Sequence, residues 1–440
     1  MSPSAVKPSY IIVGAGVFGS STAYHLAKAL PSASITLIDR SPFPCPLAAS
    51  YDVNKIVRAD YGDKFYMELA LRSQHQWRTN PLYSQYFHES GMVNIEGSGL
   101  GRRMIQNYVD LGVSTKAAVI GPEELKKRYP LFWDTDYSKA KDCYVDPQSG
   151  WAEAASAVKT VIQTAVDDGV EYVEGTVTKL LFDEQGNCFG VELNGGRAIE
   201  ASNVILSMGA GIAKLIADSS PERPDIQVDD RIIGAAVVTG LVKLTPSQIE
   251  EYKDMPLFIH RVGGISGEAY PPTPEKVMKF CRDISFSNFY KHAKLGQMIS
   301  TPPFEQENEG QSNVPKALRD EIQTVMKGIW GRQADGMEVD SYRICWDAFT
   351  PNQDFIISAH PRCNRLFIAT GGSFHGWKFL PIIGEYVVDL LQNKLAPDLA
   401  QRWGWDRAQD GAAQGMLKPT RDLKDLEEIE NRNVSCDSQC

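Results

Sequence analysis

The hydrophobic pattern at the start of the chain predicts a strand, a tight turn, a helix and a second strand. Residues 11–13 and 35–38 are continuous apolar runs, which are typical of buried parallel strands. Residues 20–30 between them are predicted to form a helix. A glycine-rich turn joins the first strand to this helix, and the second strand ends on an acidic residue, Asp39. This order of elements is typical of a dinucleotide-binding unit.

The glycines of the turn have separate physical tasks in such a unit. Gly14 makes the turn, Gly16 lets backbone N–H groups approach a pyrophosphate, and Gly19 lets the helix pack closely on the strand. The N-terminus of the helix offers its positive dipole end to the phosphates, and Asp39 can accept hydrogen bonds from a ribose. The alternative is a glycine turn with a structural role only. The predicted cofactor-binding residues of the unit are Gly14, Gly16, Val17, Phe18, Gly19, Asp39 and Arg40.

Two further apolar runs lead into glycine-rich turns, at residues 203–211 and 366–376. Because these three units are far apart in the sequence, we predict a discontinuous nucleotide-binding domain with a second domain over its open face. The tail is polar and charged, and we expect it to bury little. The predicted division is a nucleotide-binding domain of residues 8–60, 146–225 and 341–400, a second domain of residues 61–145 and 226–340, and a tail of residues 401–440.

Bulk properties exclude several classes of protein. A chain of 440 residues can form two or three cores. No apolar run reaches the length of a membrane span, and residues 1–9 lack the apolar core of a secretory signal. The net charge of −10, without a basic stripe, argues against a nucleic-acid partner. The eight cysteines lack paired metal spacing, so we expect a protein of a reducing compartment with no metal site. We further expect a cytoplasmic monomer with no membrane partner.

Three separated motifs resemble those of a known family. They are the N-terminal dinucleotide unit, residues 343–346 (Arg-Ile-Cys-Trp) and residues 371–381 (Gly-Gly-Ser-Phe-His-Gly-Trp-Lys-Phe-Leu-Pro). Together they resemble the FAD-dependent amine oxidases of the monomeric sarcosine oxidase type, and within these the fungal amadoriases (fructosyl amino acid oxidases) and the related saccharopine and pipecolate oxidases. The resemblance extends over residues 8 to 395 or so. It implies an α/β fold in which a glutathione-reductase-like FAD-binding domain carries a second, α+β substrate domain built on a mixed sheet, as in sarcosine oxidase and D-amino acid oxidase.

The resemblance also implies roles for residues near a flavin. Cys345 matches the cysteine that family members attach to the 8α-methyl group of the flavin, whereas without the resemblance it is a small core residue. Lys279 matches the lysine thought to activate oxygen, since a fixed cation stabilises developing superoxide. Lys55 falls where sarcosine oxidases carry an arginine and amadoriases a lysine, and His375 matches a histidine close to the flavin. The other implied cofactor-binding residues are Gly372, Gly376 and Lys378.

A second set of implied residues concerns the substrate. Arg58 and Lys378 match the cation pair that binds the substrate carboxylate, whereas by themselves they could be surface residues. Asp283 stands where amadoriases place a glutamate that contacts the sugar-bearing amine, and we count Asp60 among the substrate-binding residues. Asp347 replaces a second cysteine of the amadoriase motif. These two departures, at positions 283 and 347, leave fructosyl-amine specificity open.

The predicted function is FAD-dependent oxidation of the C–N bond of a secondary or N-alkylated amino acid. The resemblance implies hydride transfer to flavin N5, an imine product, and reduction of O₂ to hydrogen peroxide. Alternative substrates are fructosyl amino acids, saccharopine or pipecolate, or an intermediate of fungal isoquinoline-type alkaloid biosynthesis. Two other classes remain open: an NAD(P)-dependent reductase, because the N-terminal unit alone also fits NAD, and a catalytically silent binding protein.

Overall fold

The structure is a computed structural model of the chain and describes residues 8–303, 313–409 and 418–427. Its first sheet has six strands, in the order Ile356–Ala359, Leu366–Thr370, Asn203–Leu206, Ser9–Val13, Ser34–Asp39 and Glu171–Glu174. Neighbouring strands pair in parallel, except that Ile356–Ala359 is antiparallel to Leu366–Thr370. The three strands predicted to lead into glycine-rich turns therefore lie side by side. Because parallel strands end at the same edge, their turns meet there.

Both faces of this sheet are covered, which explains its continuous apolar strands. The helix Val17–Ala29 packs against Ala154–Asp167 and Ile383–Leu391 on one face. The helix Ile212–Ser219 and a three-stranded sheet contribute to a second core on the other face. The strands of that small sheet are Val177–Phe182, Cys188–Leu193 and Ala198–Glu200.

The second large sheet has nine strands and is mixed, as predicted. Eight of them follow the order Phe286–Ser287, Ile233–Lys243, Val277–Arg282, Gly267–Ala269, Leu257–His260, Met92–Glu96, Asp142–Asp146 and Ala118–Ile120, and Ser341–Phe349 pairs with Ile233–Lys243. Leu257–His260 runs parallel to Met92–Glu96, and the other neighbours are antiparallel. The helix Lys316–Trp330 packs on this sheet.

The remaining elements connect the two large sheets or lie at their edges. The remaining strands are Lys55–Val57, Gly150–Ala152 and Phe87–His88 in one small sheet, and Phe289–Lys291 and Met298–Ser300 in a hairpin. The remaining helices are Lys64–Thr79, Pro81–Ser84, Leu100–Asp110, Pro122–Arg128, Pro246–Tyr252 and Pro397–Arg402. Among the described helices, none has both the length and the apolar character needed to cross a bilayer.

One strand bears on the predicted domain boundaries. Ser341–Phe349 falls within the segment assigned to the nucleotide-binding domain, yet all nine of its residues pair with Ile233–Lys243 of the nine-stranded sheet. Ile356–Ala359 and Leu366–Thr370, which follow it, belong to the six-stranded sheet. The chain therefore crosses between the two sheets after residue 349, and the division into domains stays a prediction.

The expectation that the tail buries little is wrong for its described part. Trp403 and Trp405 are fully or almost fully buried, and Trp403 packs edge-on against Phe65 and Tyr386. Leu423 and Leu426 are buried against the helix side of the nine-stranded sheet. Charged neighbours in the sequence hide these few large apolar side chains from a composition-based prediction. Residues 410–417 and 428–440 of the predicted tail lie outside the described part of the chain.

Candidate cofactor and substrate site

A cavity of about 650 Å³ lies at the edge where the parallel strands of the six-stranded sheet end. Gly14, in the turn after the first strand, has φ of +97°, and a Cβ there would lie 2.7 Å from the Cα of Met208. A Cβ on Gly19 would lie 1.8 Å from the Gly14 carbonyl oxygen. Both positions therefore require glycine, Gly14 for its backbone conformation and Gly19 for the close packing of the helix on the turn.

The rim of this cavity suits a pyrophosphate. In the described helix Val17–Ala29, the first turn carries no acidic residue, and no side chain caps its N-terminus. The first N–H groups of the helix therefore remain available to an anion, and its dipole favours negative charge there. A Cβ on Gly16 would meet only the Ser50 Oγ, at 3.6 Å, so the protein leaves this position open to a ligand.

Asp39 is fixed at the wall of the same cavity. Its carboxylate accepts the backbone N–H groups of Ala15 and Arg40, each at 2.7 Å. These bonds tie the end of the second strand to the glycine turn and leave further acceptor positions on the two oxygens. Together with the open helix N-terminus, this arrangement fits a bound dinucleotide such as FAD.

Most of the predicted cofactor-binding residues line this cavity. They are Gly14, Gly16, Val17, Phe18, Asp39, Arg40 and Gly372. Among the described residues, Gly19 and Gly376 do not line this cavity. Gly19 packs against Gly14, and Gly376 packs against Gly372. A Cβ on Gly376 would lie 2.8 Å from the Cα of Gly372, so Gly376 permits the turn that carries Gly372.

A second cavity, of about 510 Å³, adjoins the first. The two share the lining residues Val17, Ala49, Ser50, Asp347 and Gly372. The second cavity brings together predicted residues that are distant in the sequence, namely Lys55, Arg58, Lys279, Asp283, Cys345, His375 and Lys378. The catalytic and substrate-binding predictions thus converge beside the dinucleotide cavity.

Asp52 holds two of the predicted lysines. Its Oδ2 lies 2.9 Å from the Nζ of Lys279 and 3.0 Å from the Nζ of Lys55. Lys279 is 2% exposed, projects from the strand Val277–Arg282, and also donates to the main-chain oxygen of Asn54 at 2.5 Å. Its ammonium lies 4.0 Å from the centroid of the Tyr270 ring. One carboxylate therefore fixes two cations on the same wall of the cavity.

Burial and neighbouring charges have opposing effects on the pKa values of Asp52, Lys55 and Lys279. Burial opposes the charge of Asp52, but the two lysines lower the pKa of its carboxyl group overall. Burial lowers the pKa of Lys279, and Lys55 adds to this effect against the attraction of Asp52. The pKa of Lys55 is instead raised, because Cys345 and Asp52 outweigh its burial. Of the two lysines, Lys279 is thus the one that more readily loses its proton.

Cys345 lies on the strand Ser341–Phe349 and is 5% exposed. Its Sγ is 3.9 Å from the Nζ of Lys55 and 3.8 Å from the carbonyl oxygen of Ala49. The neighbouring Arg343 donates to the carbonyl oxygens of Pro46 and Ala48, at 3.0 and 2.9 Å. The strand thereby holds the loop that lines both cavities and presents its thiol beside a cation.

Arg58 is paired with Asp60 behind the cavity wall. The guanidinium donates to the main-chain oxygen of Asp60 and, at 3.1 Å, to its carboxylate. Burial opposes the charge on Arg58, but Asp60 raises the pKa of the guanidinium overall. Asp60 is fully buried and, among the described residues, does not line the cavity, because its carboxylate faces Arg58 and Ser149. Asp60 therefore meets the cavity through Arg58, and its predicted role in substrate binding stays a prediction.

Lys378 and His375 belong to one buried hydrogen-bond chain. The Nζ of Lys378 donates to the Tyr61 hydroxyl at 2.9 Å and to the His375 carbonyl oxygen at 2.8 Å. The Tyr61 hydroxyl lies 3.2 Å from His375 Nδ1, and His375 Nε2 lies 2.8 Å from the Gln353 carbonyl oxygen. Burial and the Lys378 charge lower the pKa of His375 well below its ordinary value, so the ring is neutral.

The turn that carries His375 is held by Asp347. The Asp347 carboxylate accepts the backbone N–H of Phe374 at 2.7 Å, and Ser373 and Phe374 have positive φ of 47° and 63°. Because non-glycine residues rarely adopt this conformation, the hydrogen bond helps to maintain the turn. Burial raises the pKa of Asp347.

A carboxyl pair faces the cavity: Glu268 lies on the strand Gly267–Ala269, and Asp283 directly follows the neighbouring strand Val277–Arg282. Glu268 and Asp283 each place an oxygen within 4.8 Å of the other's and of the Cys281 Sγ. Burial, and then Glu268, raise the pKa of Asp283 to about 8, while Arg261 acts in the opposite direction. Tyr270 donates its hydroxyl proton to Glu268 at 2.6 Å. Near neutral pH Asp283 is therefore mostly protonated, so the pair can both donate and accept hydrogen bonds.

The described end of the tail contributes the last part of the wall. Lys418 and Thr420 line the second cavity. The residues that follow anchor this segment: Arg421 pairs with Glu321 at 3.1 Å, and the Asp422 carboxylate accepts the Phe289 N–H at 2.8 Å. A segment remote in the sequence thus closes the side of the substrate cavity.

No individual role was predicted from the sequence for Asp52, Tyr61, Glu268, Arg261 and Lys418, all of which lie in or beside the second cavity. A signal for Asp52 was present, because an acid three residues before Lys55 can pair with it. Glu268 could be placed only from the pairing of Gly267–Ala269 with Val277–Arg282. Lys418 gave no signal, since its position depends on how the tail docks.

Comparisons with known proteins agree with this site. A family model described as "FAD dependent oxidoreductase" matches residues 9–390. An L-saccharopine oxidase of Schizosaccharomyces pombe is 27% identical over 443 residues, covering 96% of this chain and 98% of that protein. An amino acid oxidase of Aspergillus flavus is 26% identical over 460 residues, covering 87% and 92%. The crystal structure of a modified fructosyl peptide oxidase from Aspergillus nidulans matches with a TM-score of 0.84 at 27% identity, covering 96% of this chain and 99% of that one.

These matches confirm the predicted resemblance and the predicted fold. The family model spans both large sheets, from the strand Ser9–Val13 to the helix Ile383–Leu391. It includes the glycine turn, the open helix N-terminus and Asp39, which together fit a dinucleotide. The chain therefore belongs to the FAD-dependent oxidoreductase family, and its cofactor is FAD.

Proposed function

We propose that this protein oxidises the C–N bond of a secondary or N-alkylated amino acid and reduces O₂ to hydrogen peroxide. The observation that carries this proposal is the convergence of two buried cations, Arg58 and Lys378, on one wall of the cavity beside the dinucleotide site. Arg58 already pairs with Asp60, whereas the printed acceptors of Lys378 in the described part of the chain are uncharged, the Tyr61 hydroxyl and the His375 carbonyl oxygen. A buried ammonium needs an anionic partner, which a substrate carboxylate would provide through charge-assisted hydrogen bonds. The amino-acid oxidases among the relatives support the same substrate class.

Different residues of the cavity would bind the carboxylate, contact the amine and assist the reaction with oxygen. Bound FAD would supply hydride acceptance from the carbon beside the nitrogen and electron transfer to O₂. Arg58 and Lys378 would bind the carboxylate and fix the orientation of the amine. Asp283 and Glu268 would accept hydrogen bonds from the nitrogen or its substituent. Lys279, fixed by Asp52, would place positive charge where oxygen becomes negative.

An oxygen-electrode screen tests the function. The candidates are sarcosine, pipecolate, saccharopine, fructosyl amino acids and N-methylated aromatic amino acids, each offered as the free acid and as its methyl ester. We expect oxygen uptake and peroxide release with at least one free acid and much less with its ester. Equal oxidation of the ester would exclude the carboxylate clamp, and a colourless protein without bound flavin would exclude the reaction.

We also propose that Cys345 carries the FAD covalently. The support is its place in the cavity wall, 3.9 Å from the Lys55 ammonium, because a cation stabilises the thiolate that attachment requires. Acid precipitation should leave the yellow colour in the pellet, and Cys345→Ala should release it to the supernatant. Cys281→Ala is the matched control, since Cys281 is also buried and lines the same cavity. Colour that washes away from the unaltered protein would disprove attachment.

We also propose that the protein is a monomer and that it is cytoplasmic. The match to a family of FAD-dependent oxidoreductases speaks against the alternative of an NAD(P)-dependent reductase.

A further inference from the structure

Tyr61 lies between the two cations of the proposed carboxylate clamp. It follows the strand Lys55–Val57 and is 1% exposed. The Arg58 guanidinium carbon lies 4.9 Å from the centroid of its ring, and the Lys378 Nζ lies 5.2 Å from the same centroid. One aromatic ring thus contacts both cations, which come from distant parts of the sequence.

The hydrogen-bond chain through Tyr61 has a fixed direction. The Gln353 carbonyl can only accept, so His375 Nε2 carries the proton, and Nδ1 of the neutral ring is an acceptor. The Tyr61 hydroxyl must therefore donate to Nδ1. Its oxygen is then left to accept from the Nζ of Lys378. The Gln353 carbonyl thus fixes the proton of His375, and His375 fixes the proton of the Tyr61 hydroxyl.

This direction determines how Lys378 is presented. Among the described residues, its Nζ has two acceptors, the Tyr61 hydroxyl and the His375 carbonyl oxygen. Lys378 lines the cavity, so the third N–H position is the one that a ligand can use. Ser73 and Trp77 bind the main-chain oxygen of Lys378, at 2.6 and 2.7 Å, and fix its backbone. The chain of bonds therefore leaves one N–H of a buried lysine for an anion.

We propose that Tyr61 is the positioning residue of the clamp, which fixes both Arg58 and Lys378 and favours the charged form of Lys378 through its hydroxyl. This inference rests on the proposed function, because it assumes that the clamp binds a carboxylate. It goes further, because it assigns the orientation of Arg58 and Lys378 and the charge of Lys378 to Tyr61, a residue that does not itself bind the carboxylate.

Burial and neighbouring charges act on the pKa of Lys378, so the loss of one of its hydrogen-bond acceptors should be measurable. Burial and the Arg58 charge lower its pKa well below the ordinary value, and the negative charges of Asp60 and Glu268 act against them. The helix Lys64–Thr79 meets Lys378 through Ser73 and Trp77, which are uncharged. The charged and titratable groups that face Lys378 are Arg58, Asp60, Tyr61, Glu268 and His375. Loss of the Tyr61 acceptor should lower this pKa further.

The test compares N-acetylglycine with its neutral amide by calorimetric titration of the flavin-loaded protein over a range of pH. Carboxylate affinity should fall as pH rises through the pKa of Lys378, because the charged form binds. In Tyr61→Phe, the affinity at low pH should be about 10- to 100-fold lower, because a displaced Lys378 would lose its own charge-assisted bond to the carboxylate. The midpoint of the pH profile should also move down by about one unit.

Tyr66→Phe is the control, since Tyr66 is equally buried, contacts the Tyr61 ring and uses its hydroxyl on the Phe355 N–H. The Tyr66→Phe variant should leave the carboxylate affinity at low pH and the midpoint of the pH profile unchanged. An unaltered midpoint in Tyr61→Phe, with or without a uniform loss of affinity, would overturn the positioning role alone. Equal binding of the acid and the amide by the unaltered protein would overturn the clamp, and with it the proposed function.

Discussion

Replacing Lys279 with methionine should slow the reaction of the reduced enzyme with oxygen by about 100- to 1000-fold, the usual effect of removing one preorganised charge or donor from developing negative charge. Substrate oxidation should change little, because the interaction is made mainly in the oxygen step. The protein should still fold, since Asp52 keeps Lys55 as an ion-pair partner at 3.0 Å. Stopped-flow mixing of reduced enzyme with oxygen measures the effect.

The pH dependence of the same step is a second readout. Burial lowers the pKa of Lys279, so the oxygen reaction should slow as pH rises through that pKa and the positive charge is lost. Lys279→Met should abolish this dependence. Lys55→Met is the comparison variant, because Lys55 shares Asp52 but faces Cys345. A rate constant for oxygen that Lys279→Met leaves unchanged would remove Lys279 from the mechanism.

The second large effect concerns the carboxylate clamp. Arg58→Gln and Lys378→Met should each weaken binding of a carboxylate inhibitor by about 10- to 100-fold, because a hydrogen bond to a charged group contributes roughly 1.5–3 kcal/mol. If both cations hold one carboxylate, the double variant should lose less than the sum of the single losses. Strict additivity would mean that the two residues bind different groups.

The two single variants should differ in stability. Arg58→Gln leaves Asp60 buried without its cation, which should destabilise the fold by about 3–5 kcal/mol. Lys378→Met leaves a neutral Tyr61 and should cost much less. The double variant Arg58→Gln/Asp60→Asn should therefore recover most of the stability without recovering the affinity. Thermal unfolding and inhibitor titration of the same samples separate the two effects, and parallel recovery of both would disprove the clamp.

How far the sequence predicts this protein depends on the range of the interactions involved. The strand Ser9–Val13, the turn with Gly14 and the strand Ser34–Asp39 follow from local patterns, since apolar runs, glycine and a terminal acid act within one short unit. Cys345 and Lys378 were found through the resemblance of short motifs. In each case the signal lies within a few consecutive residues.

The missed parts depend on contacts between remote segments. Tyr61 owes its place to Lys378 and His375, more than 300 residues later. From the sequence, Asp60 counts among the predicted substrate-binding residues, and only the packing around it shows that its carboxylate pairs with Arg58. Trp403 looks like part of a polar tail until its burial against Phe65 is known. Such contacts leave no periodicity in the sequence.

The pairing register around Ile233–Lys243 determines how this site tolerates changes in chain length. Cys345 lies opposite Val237, and Lys279 lies opposite Leu241, on the two sides of the same strand. Side chains alternate between the faces of a strand, so inserting or deleting one residue near any of these positions would turn a reacting group away from the cavity. The hairpin at residues 183–187 has no such constraint from the site. Insertions and deletions among homologues should therefore accumulate in hairpins of that kind. They should be rare in the strands Ile233–Lys243, Val277–Arg282 and Ser341–Phe349.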